Sequence, residues 1–372
     1  MKFGFIIIIL LFLLGNFYVF QRIWVLMPPN NIGRILLIAF AVLAVSSLVV
    51  FFAFGDSLPI GFSSFLYTVG TSWFFIFIYF FILALFNDLI RLTRIVPVSA
   101  FNQYTHDNWV GFIFAIGFVT LLMVCGYLKY TWKVRVEVPI TLEKPMEKRD
   151  SLRIVAISDL HLGYTIGKKE LKQWIGLINN EKPDIVLIAG DIIDNSVRPL
   201  GDTGKLFRDI KAPYGIYACL GNHEYISGIN QSTQFIRDAG INILKDSVVL
   251  VDSTFYIAGR DDRSNENRKT IEELIYGIDK SKPVVLLDHQ PYHLEEAEKN
   301  AIDLQISGHT HRGQIWPISL ITDLMYEKSH GYLKKGNTNI YVSSGIGVWG
   351  GKFRIGTQSE YVVIDIKSNK LN

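Results

Sequence analysis

The stretch "GIYACLGNHEY", residues 215–225, joins a short apolar run directly to glycine, asparagine, histidine and glutamate. The apolar part, Gly215–Leu220, is typical of a buried β-strand. An amide beside an imidazole is a poor way to end a strand inside a core, because buried polar groups need partners. The same pair at a strand's carboxyl end can offer a metal ligand and a proton donor. The stretch therefore indicates a strand that ends at a polar site.

Four other apolar runs end in the same manner, with an acidic or histidine residue one to three positions after the last apolar residue. They are "ISDLHLG" at 157–163, "LIAGDIID" at 187–194, "LLDHQP" at 286–291 and "ISGHTHRG" at 306–313. Sites in open α/β sheets form outside the carboxyl ends of the strands. We therefore expect the polar groups of all five blocks to meet at one place.

The residues around these blocks alternate between strand and helix patterns and then give several strands together. The predicted strands are Leu152–Ser158, Ile185–Ala189, Gly215–Leu220, Ile243–Leu244, Val248–Val251, Thr254–Ala258, Val284–Leu287, Leu304–Ser307, Ile340–Ser343 and Glu360–Ile366. The predicted helices are Lys168–Asn179, Gly201–Ile210, Gln231–Ala239, Arg268–Tyr276 and Tyr292–Lys299. This order predicts an α/β sandwich with two sheets.

The first 132 residues differ from the rest in being overwhelmingly apolar and aromatic. Four runs approach or reach the roughly 20 residues that cross a bilayer. They are Phe3–Phe20, Ile35–Phe54, Phe65–Phe86 and Val110–Leu128. We do not interpret the first run as a cleaved signal peptide, because no small-residue cleavage site follows it and three more runs do. No charged residue lies inside a predicted span, which favours an anchor over an ion pathway.

The orientation of this predicted four-helix transmembrane region stays open. The positive charges at the two ends of the bundle are equal in number, so the positive-inside rule does not decide it. They are Arg22, Arg34, Arg91 and Arg94 at one end, and Lys2, Lys129, Lys133 and Arg135 at the other. The segment Asn87–Asn108 fits either an amphipathic interfacial piece or a loop.

Net charge and cysteine content say little about the partners or the compartment of the protein. A net charge of +3 over 372 residues gives no reason to expect a nucleic-acid partner. The two cysteines, Cys125 and Cys219, do not fix the compartment. Val134–Ile140 alternates as a strand does, and a charged turn with Pro145 follows. We therefore expect a transmembrane region at 1–132, a linker with a strand at 133–150, and a catalytic domain at 151–372.

The candidate site residues are carboxylates, imidazoles and one amide, with no thiolate. They are Asp159, His161, Asp191, Asp194, Asn222, His223, His289, His309 and His311. This donor set suits Mn, Fe or Zn. In an extended segment, Asp-x-His and His-x-His would each place both side chains on one side. The donors exceed what one ion needs, so we expect two divalent ions bridged by Asp191. Two such ions suit in-line attack on phosphorus.

His223 is not needed as a ligand in this scheme. It can protonate the leaving oxygen, and Asp194 can hold its other ring nitrogen. The chemistry expected from the residues alone is therefore metal-dependent cleavage of a phosphate ester, with His223 and Asp194 as the catalytic pair.

The five blocks, in the order D-x-H, GD-x-x-D, GNH(D/E), a lone His and GH-x-H, resemble the calcineurin-like metallophosphoesterase superfamily over about residues 151–372. The resemblance implies a four-layer α/β sandwich and two divalent ions, with Mn the first expectation. It implies one ion held by Asp159, His161, Asp191 and His311, and another held by Asp191, Asn222, His289 and His309. It also implies proton transfer and orientation by His223 and Asp194.

"RDD" at 260–262 and "YVSSGIGVWG" at 341–350 resemble the membrane-associated branch, which includes enzymes similar to UDP-2,3-diacylglucosamine pyrophosphatases of lipid A biosynthesis. The chain departs from that branch before Glu360, where Gln358 and Ser359 replace a frequent proline pair. The branch implies a multi-pass protein of the bacterial inner membrane that hydrolyses a lipid-linked phosphodiester or pyrophosphate. The alternatives are a broad phosphodiesterase or phosphatase on non-lipid substrates, and a binding scaffold without catalysis.

Three further features have two interpretations each. Arg312 and Arg260 could bind a substrate phosphate, or they could have no part in the site. The apolar stretch Trp316–Tyr326 could pack in the core or form a lipid-facing rim. Glu224 is given no role, and the oligomeric state stays open.

Overall fold

The computed structural model describes residues 2–146 and 149–368, except the side chains of residues 2–6, 8 and 9. The chain forms two compact units. The first comprises Met1–Tyr127 and the short segment Gly350–Phe353, and the second comprises Leu128–Trp349 and Arg354–Asn372.

The first unit is built from apolar helices. They are α1 (Lys2–Leu26), α2 (Asn31–Phe54), α3 (Ile60–Thr93), α4 (Val98–Thr105) and α5 (Trp109–Thr131). Helices α2, α3 and α5 are long and apolar enough to cross a membrane, and the described apolar part of α1 is the shorter Leu10–Leu26. Each of the four predicted apolar runs is therefore a helix.

Two of these helices extend beyond the predicted runs and carry charges in the added turns, while the runs themselves contain none. Helix α1 continues through Arg22, and α3 continues through Asp88 and Arg91. The Arg22 Nη2 and Asp88 Oδ2 atoms lie 2.5 Å apart. The Tyr18 hydroxyl donates to the same carboxylate at 2.6 Å. Opposite charges that pair in this way can be accommodated at a helix end, where the sequence pattern alone shows only an interruption.

The segment Asn87–Asn108 is mostly helical. Its first residues complete α3, and Val98–Thr105 form α4. Asn108 follows, and its side chain accepts from the Gly111 N–H at 2.9 Å at the start of α5. Asn is a common helix N-cap because its side-chain oxygen binds an otherwise unpartnered N–H group.

The second unit contains two six-stranded sheets. Its strands are β1 (Lys133–Leu142), β2 (Ser151–Ile157), β3 (Ile185–Ala189), β4 (Ile216–Cys219), β5 (Asn242–Ile243), β6 (Ser247–Val251), β7 (Phe255–Gly259), β8 (Val284–Leu287), β9 (Leu304–Ser307), β10 (Gly331–Lys335), β11 (Thr338–Val342) and β12 (Ser359–Ser368). The sheet orders are β1-β12-β2-β3-β4-β5 and β10-β11-β9-β8-β7-β6. Strands β2, β3 and β4 are mutually parallel, as are β7, β8 and β9.

The helices of this unit are α6 (Lys168–Asn180), α7 (Asn222–Ile226), α8 (Ile229–Asp238), α9 (Ile271–Leu274), α10 (Glu295–Lys299) and α11 (Ile318–Met325). Helix α6 shows why they form a separate layer. Its buried residues Leu171, Trp174, Ile175 and Ile178 recur at helical spacing, which gives one apolar face. Apolar cores lie between the two sheets and on the outer face of each sheet. The predicted four-layer α/β sandwich is therefore confirmed.

Strand β1 connects the apolar helices to the sandwich. Only Trp132 separates the end of α5 from the start of β1. Strand β1 then pairs in parallel with β12 over ten residues, from Lys133 opposite Ser359 to Leu142 opposite Ser368. The region predicted to be a linker with a strand thus contributes the edge strand of a sheet.

Candidate metal centre

The nine candidate residues follow the ends of five strands, in loops and, for Asn222 and His223, at the start of helix α7. Three loops follow the adjacent parallel strands β2, β3 and β4, and two follow the adjacent parallel strands β8 and β9. Their side chains form three groups in which the potential ligand atoms lie within 4.8 Å of one another. These groups are Asp159 with His161 and His311, Asp191 with His289 and His309, and His161 with Asp194 and His223. The predicted meeting of the five blocks at strand ends is observed.

In the first group, two imidazoles face each other. His161 Nε2 and His311 Nε2 are 2.9 Å apart. Asp159 Oδ1 lies 3.5 Å from His311 Nε2, and Asp191 Oδ2 lies 3.8 Å from His161 Nε2. These ligand atoms surround one small volume with two nitrogens and two carboxylates.

In the second group, Asp191 is again present. Its Oδ2 lies 3.1 Å from His289 Nε2. The Asn222 side-chain oxygen lies 2.9 Å from His309 Nδ1 and 3.3 Å from His289 Nε2. Asp191 is therefore near both groups, which is the position that a bridging carboxylate requires.

His223 and Asp194 form a separate pair beside the first group. His223 Nδ1 lies 3.0 Å from Asp194 Oδ1, and His161 Nδ1 lies 3.9 Å from the same oxygen. Burial lowers the pKa of His223, but the negative charges of Asp191 and Asp194 outweigh it and raise the pKa to about 9. The pair therefore favours a protonated imidazole that a carboxylate holds in place.

Burial dominates the protonation of two of the other imidazoles. It lowers the pKa of His161 and His309 to about 4 and raises the pKa of Asp159 to about 6. Burial also acts to raise the pKa of Asp191, but the positive charges of the nearby histidines, His289 first, together outweigh it and hold the pKa of that carboxyl well below its usual range. The charge of Asp191 in turn raises the pKa of His289 well above its ordinary value despite burial. Neutral imidazoles and ionised carboxylates are the forms that bind metal ions, so His289 releases its proton when an ion binds.

The chemistry of this donor set fits divalent cations. Carboxylates, imidazole nitrogens and an amide oxygen converge in a buried space, and they supply more acceptors than N–H donors. His161 Nε2 and His311 Nε2 face each other at 2.9 Å, so at least one of these two buried nitrogens presents a lone pair. Groups of this kind are costly to bury unless a cation or proton binds them. The arrangement accommodates two ions, one in each of the first two groups.

The backbone at these residues corrects one step of the sequence interpretation. We expected Asp-x-His and His-x-His to lie in extended segments, yet five of the predicted ligands have left-handed φ angles between 47° and 71°. They are Asp159, His161, Asp191, His309 and His311. Such angles cost non-glycine residues of order 1–3 kcal/mol each and concentrate at functional sites. The side chains converge because the chain turns sharply after each strand.

The glycines that precede the ligands permit this close approach. A Cβ atom at Gly221 would lie 2.2 Å from Asp191 Oδ1, and one at Gly308 would lie 2.4 Å from Asp159 Oδ2. Neither carboxylate could keep its position beside a larger residue. The repeated "GD", "GN" and "GH" pairs in the sequence thus have a steric reason.

Glu224 holds two of the loops together, a role that the sequence interpretation missed. Its fully buried carboxylate accepts from the backbone N–H groups of Asp191, Ile192 and Ile193 at 2.8–3.1 Å, and of Gly221 at 2.7 Å. The signal was its place in the "GNHE" block, three residues after a glycine that precedes a short helix, where Glu commonly caps.

Arg354 stabilises the "GHTH" loop through hydrogen bonds to backbone carbonyl groups. The sequence interpretation also missed this role. Its buried guanidinium donates to the carbonyl oxygen of His311 at 2.8 Å and to that of Gly347 at 2.9 Å. Nothing in the spacing of the sequence links Arg354 to His311, a predicted ligand 43 residues earlier.

The two arginines with open roles differ in environment. Arg260 is buried in a cluster, the Asp288 cluster, made of Arg260, Arg268, Asp288 and Glu296. Its Nη1 lies 3.2 Å from Asp288 and 3.1 Å from Glu296, and Arg268 lies 3.2 Å from Asp288. Arg312 is half-exposed, and its Nη2 lies 3.7 Å from Asp323. Arg260 is therefore occupied by structural ion pairs.

The comparisons with known proteins agree with this geometry. A profile described as "Calcineurin-like phosphoesterase" matches residues 152–313. An uncharacterized metallophosphoesterase of Campylobacter jejuni is 31% identical over 299 residues, which cover 78% of this chain and 79% of the relative.

The chain belongs to the calcineurin-like metallophosphoesterase family. It is a phosphoesterase hydrolase, and the family implies divalent metal ions. An uncharacterized metallophosphoesterase of Aquifex aeolicus is 32% identical, and the alignment covers 67% of this chain and 98% of the relative. A "transmembrane protein with metallophosphoesterase domain" of Danio rerio is 28% identical over 384 residues, 96% of this chain and 87% of the relative.

Proposed function

We propose that the protein is a membrane-anchored, dinuclear-metal phosphoesterase that hydrolyses a phosphodiester or pyrophosphate bond in a lipid-linked substrate. The observation that carries this proposal is the convergence of six predicted ligands into two adjacent groups, with the seventh, Asn222, beside the group that contains Asp191. Two ions, with Mn²⁺ the first expectation, would bind Asp159, His161, Asp191 and His311, and Asp191, Asn222, His289 and His309. When bound, such ions neutralise phosphate charge and generate a hydroxide nucleophile.

The protein's own catalytic pair would handle the leaving group. With Nδ1 of His223 facing Asp194 at 3.0 Å, the other ring nitrogen is the one available to a leaving oxygen. A protonated imidazole can deliver its proton as the phosphorus–oxygen bond breaks, and the carboxylate stabilises the cation beforehand. Glu224 keeps Asp191 in position through its backbone N–H bonds.

The lipid-linked substrate is supported by the apolar helices. Three of them are long and apolar enough to cross a membrane. A site tethered to a bilayer meets lipid substrates at a high effective concentration. The likeness to a transmembrane relative along 96% of the chain supports treating anchor and enzyme as one protein. We infer a multi-pass protein of the bacterial inner membrane, with UDP-2,3-diacylglucosamine of lipid A biosynthesis as the first substrate to test.

The test uses full-length protein in detergent with Mn²⁺ and UDP-2,3-diacylglucosamine, with products read by mass spectrometry. The expected result is UMP and the lipid 1-phosphate from the wild type, and neither from Asp191→Asn. Cleavage of a bis-aryl phosphate without turnover of the UDP-lipid would keep the phosphoesterase chemistry and reject this substrate. Absence of both activities in the metal-loaded protein would reject the function.

A further inference from the structure

Helix α11 exposes most of its apolar residues, in contrast to an ordinary surface helix. Its serine, Ser319, is buried, with 6% of its surface exposed. Of its apolar residues, Ile318 is half-buried and the others are exposed, Leu324 by 87%. An ordinary surface helix buries its apolar stripe against the core and exposes its polar face. The outward side of α11, with Trp316 just before it, is therefore an apolar surface. We call it the α11 face; it comprises Trp316, Leu320, Ile321, Leu324 and Met325, all exposed.

This surface is concentrated rather than scattered. Among the described residues from 133 onward, nine large apolar side chains are exposed, and five of them form the α11 face. The other four, Ile226, Leu250, Tyr276 and Tyr332, lie apart in the sequence. Single exposed apolar residues are normal on soluble proteins, whereas contiguous ones mark interaction surfaces. The α11 face needs an apolar partner.

The connection to the anchor identifies the partner as the bilayer. One residue, Trp132, separates membrane-type helix α5 from strand β1, so the sandwich cannot diffuse away from the membrane surface. Short helices with Leu and Ile on one face and Trp at an end lie in the interface between headgroups and acyl chains. The domain that carries the α11 face is thus permanently tethered to a bilayer, a partner that suits an apolar surface.

Both ends of α11 are attached to the candidate metal centre. At its start, the helix follows the turn His311–Gly313. After its end, the Tyr326 ring lies 6.3 Å from the His309 ring, and the Thr310 hydroxyl donates to the Ser329 carbonyl at 2.6 Å. Because α11 is fixed to the ligand loop in this way, its position determines the distance between the metal centre and any surface that α11 binds.

We propose that the α11 face inserts into the bilayer interface and holds the metal centre against the headgroup layer, so that the scissile phosphate of a membrane lipid reaches it without leaving the membrane. This inference rests on the proposed function for its substrate, but the insertion itself does not depend on catalysis. It also selects the lipid-facing rim over core packing for the Trp316–Tyr326 stretch.

The test places a fluorophore on the face. In a Cys125→Ala background, Leu324→Cys is labelled with an environment-sensitive nitrobenzoxadiazole, and the full chain is reconstituted in phosphatidylethanolamine–phosphatidylglycerol vesicles. Cys219 does not interfere, because it is buried and burial raises the pKa of its thiol well above the usual range. The matched control is Tyr276→Cys, at an exposed position on the same domain. We expect a blue-shifted emission that shallow doxyl lipids quench for residue 324, and neither effect for residue 276.

A second arm measures turnover. Leu320→Gln combined with Leu324→Gln should lower hydrolysis of a vesicle-embedded lipid phosphate and leave hydrolysis of a soluble bis-aryl phosphate unchanged, while Tyr276→Gln should change neither. Equal emission and no quenching at both labelled positions would overturn the insertion and leave the proposed function intact. Quenching at residue 324 in a protein that cleaves no lipid phosphate would establish the insertion and reject the lipid substrate instead.

Discussion

The sandwich contains two charged clusters that differ in how their charges are balanced. In the Asp288 cluster, each carboxylate faces a guanidinium at 3.1–3.2 Å. In the candidate metal centre, imidazole faces imidazole at 2.9 Å, and the ligand atoms of Asp159 and Asp191 lie nearby. Their sequence positions are adjacent, since Asp288 belongs to the first cluster and His289 to the second.

This difference distinguishes a charged cluster that serves the structure from one that serves the function. The Asp288 cluster is balanced by its own partners and holds loops in place without further ligands. The metal centre has excess acceptors, strained φ angles and glycines that only a close approach explains. Where the residues of a buried cluster do not supply enough donors or cations for its acceptors, an outside cation balances them.

The largest expected effect comes from the residue shared by the two ligand groups. Asp191→Asn should lower turnover about 10³- to 10⁴-fold, since each tenfold corresponds to about 1.36 kcal/mol and metal ions supply several kcal/mol of charge stabilisation. Steady-state kinetics of a bis-aryl phosphate checks it. The isosteric control is Asp365→Asn, whose side chain pairs with Arg153 away from the centre. Equal rates for Asp191→Asn and this control would remove Asp191 from the mechanism.

A smaller loss should follow from removing the acid. His223→Gln should lower turnover about 10²-fold on substrates with alkyl leaving groups, within the range of general acid catalysis. The loss should be less for aryl leaving groups, which need little protonation. The measurement is a leaving-group series together with metal content, which should not change. A variant with reduced metal content and equal losses along the series would make His223 a ligand rather than an acid.

Glu224→Gln should have a smaller effect than either of these, because it keeps all the ligands and only weakens the hydrogen bonds that position them. Gln offers one acceptor oxygen where Glu224 uses two for four backbone N–H groups. We expect about 10- to 100-fold weaker metal affinity or activity, as for other supporting residues behind metal ligands. Titration of activity against Mn²⁺ should show recovery at high metal. Wild-type metal dependence would mean that Glu224 does not position Asp191.

A substitution in the Asp288 cluster should lower stability rather than turnover. Arg260→Met leaves Asp288 with one partner instead of two and should lower the free energy of unfolding by about 1–3 kcal/mol. Turnover per folded molecule should stay close to that of the wild type. Thermal unfolding and kinetics on the same preparation give both values. A large loss of turnover with unchanged stability would show that Arg260 binds substrate after all.

The sequence predicted the features that periodicity and strand ends determine. Strands Ile185–Ala189, Val284–Leu287 and Leu304–Ser307 match the structure residue for residue, because their apolar runs are short and sharply bounded. The predicted helix Gly201–Ile210 is a 3₁₀ helix at Thr203–Asp209, in a stretch that contains helix-weakening glycines. Helix α11 was not predicted, because a run of eight residues is too short for apolar spacing to separate a helix from other structures.

For the site, the sequence identified residues that converge in the structure, but it did not show why they converge. The left-handed turns at Asp159 and His309 depend on tertiary contacts, such as the His309 N–H bond to Asp159 Oδ1 at 3.0 Å. The support from Arg354 is equally non-local. The continuation of α3 through Asp88 was not predicted, because the residue that pairs with Asp88, Arg22, is 66 residues away.

Counting the metal ions tests the central claim most directly. Full-length protein loaded with Mn²⁺ and freed of excess metal should contain two ions per chain by elemental analysis. Its electron paramagnetic resonance spectrum should show two exchange-coupled ions, and Asp191→Asn should lose that coupling. A wild-type stoichiometry of one or none, or two ions without coupling, would contradict a centre in which Asp191 joins both ligand groups.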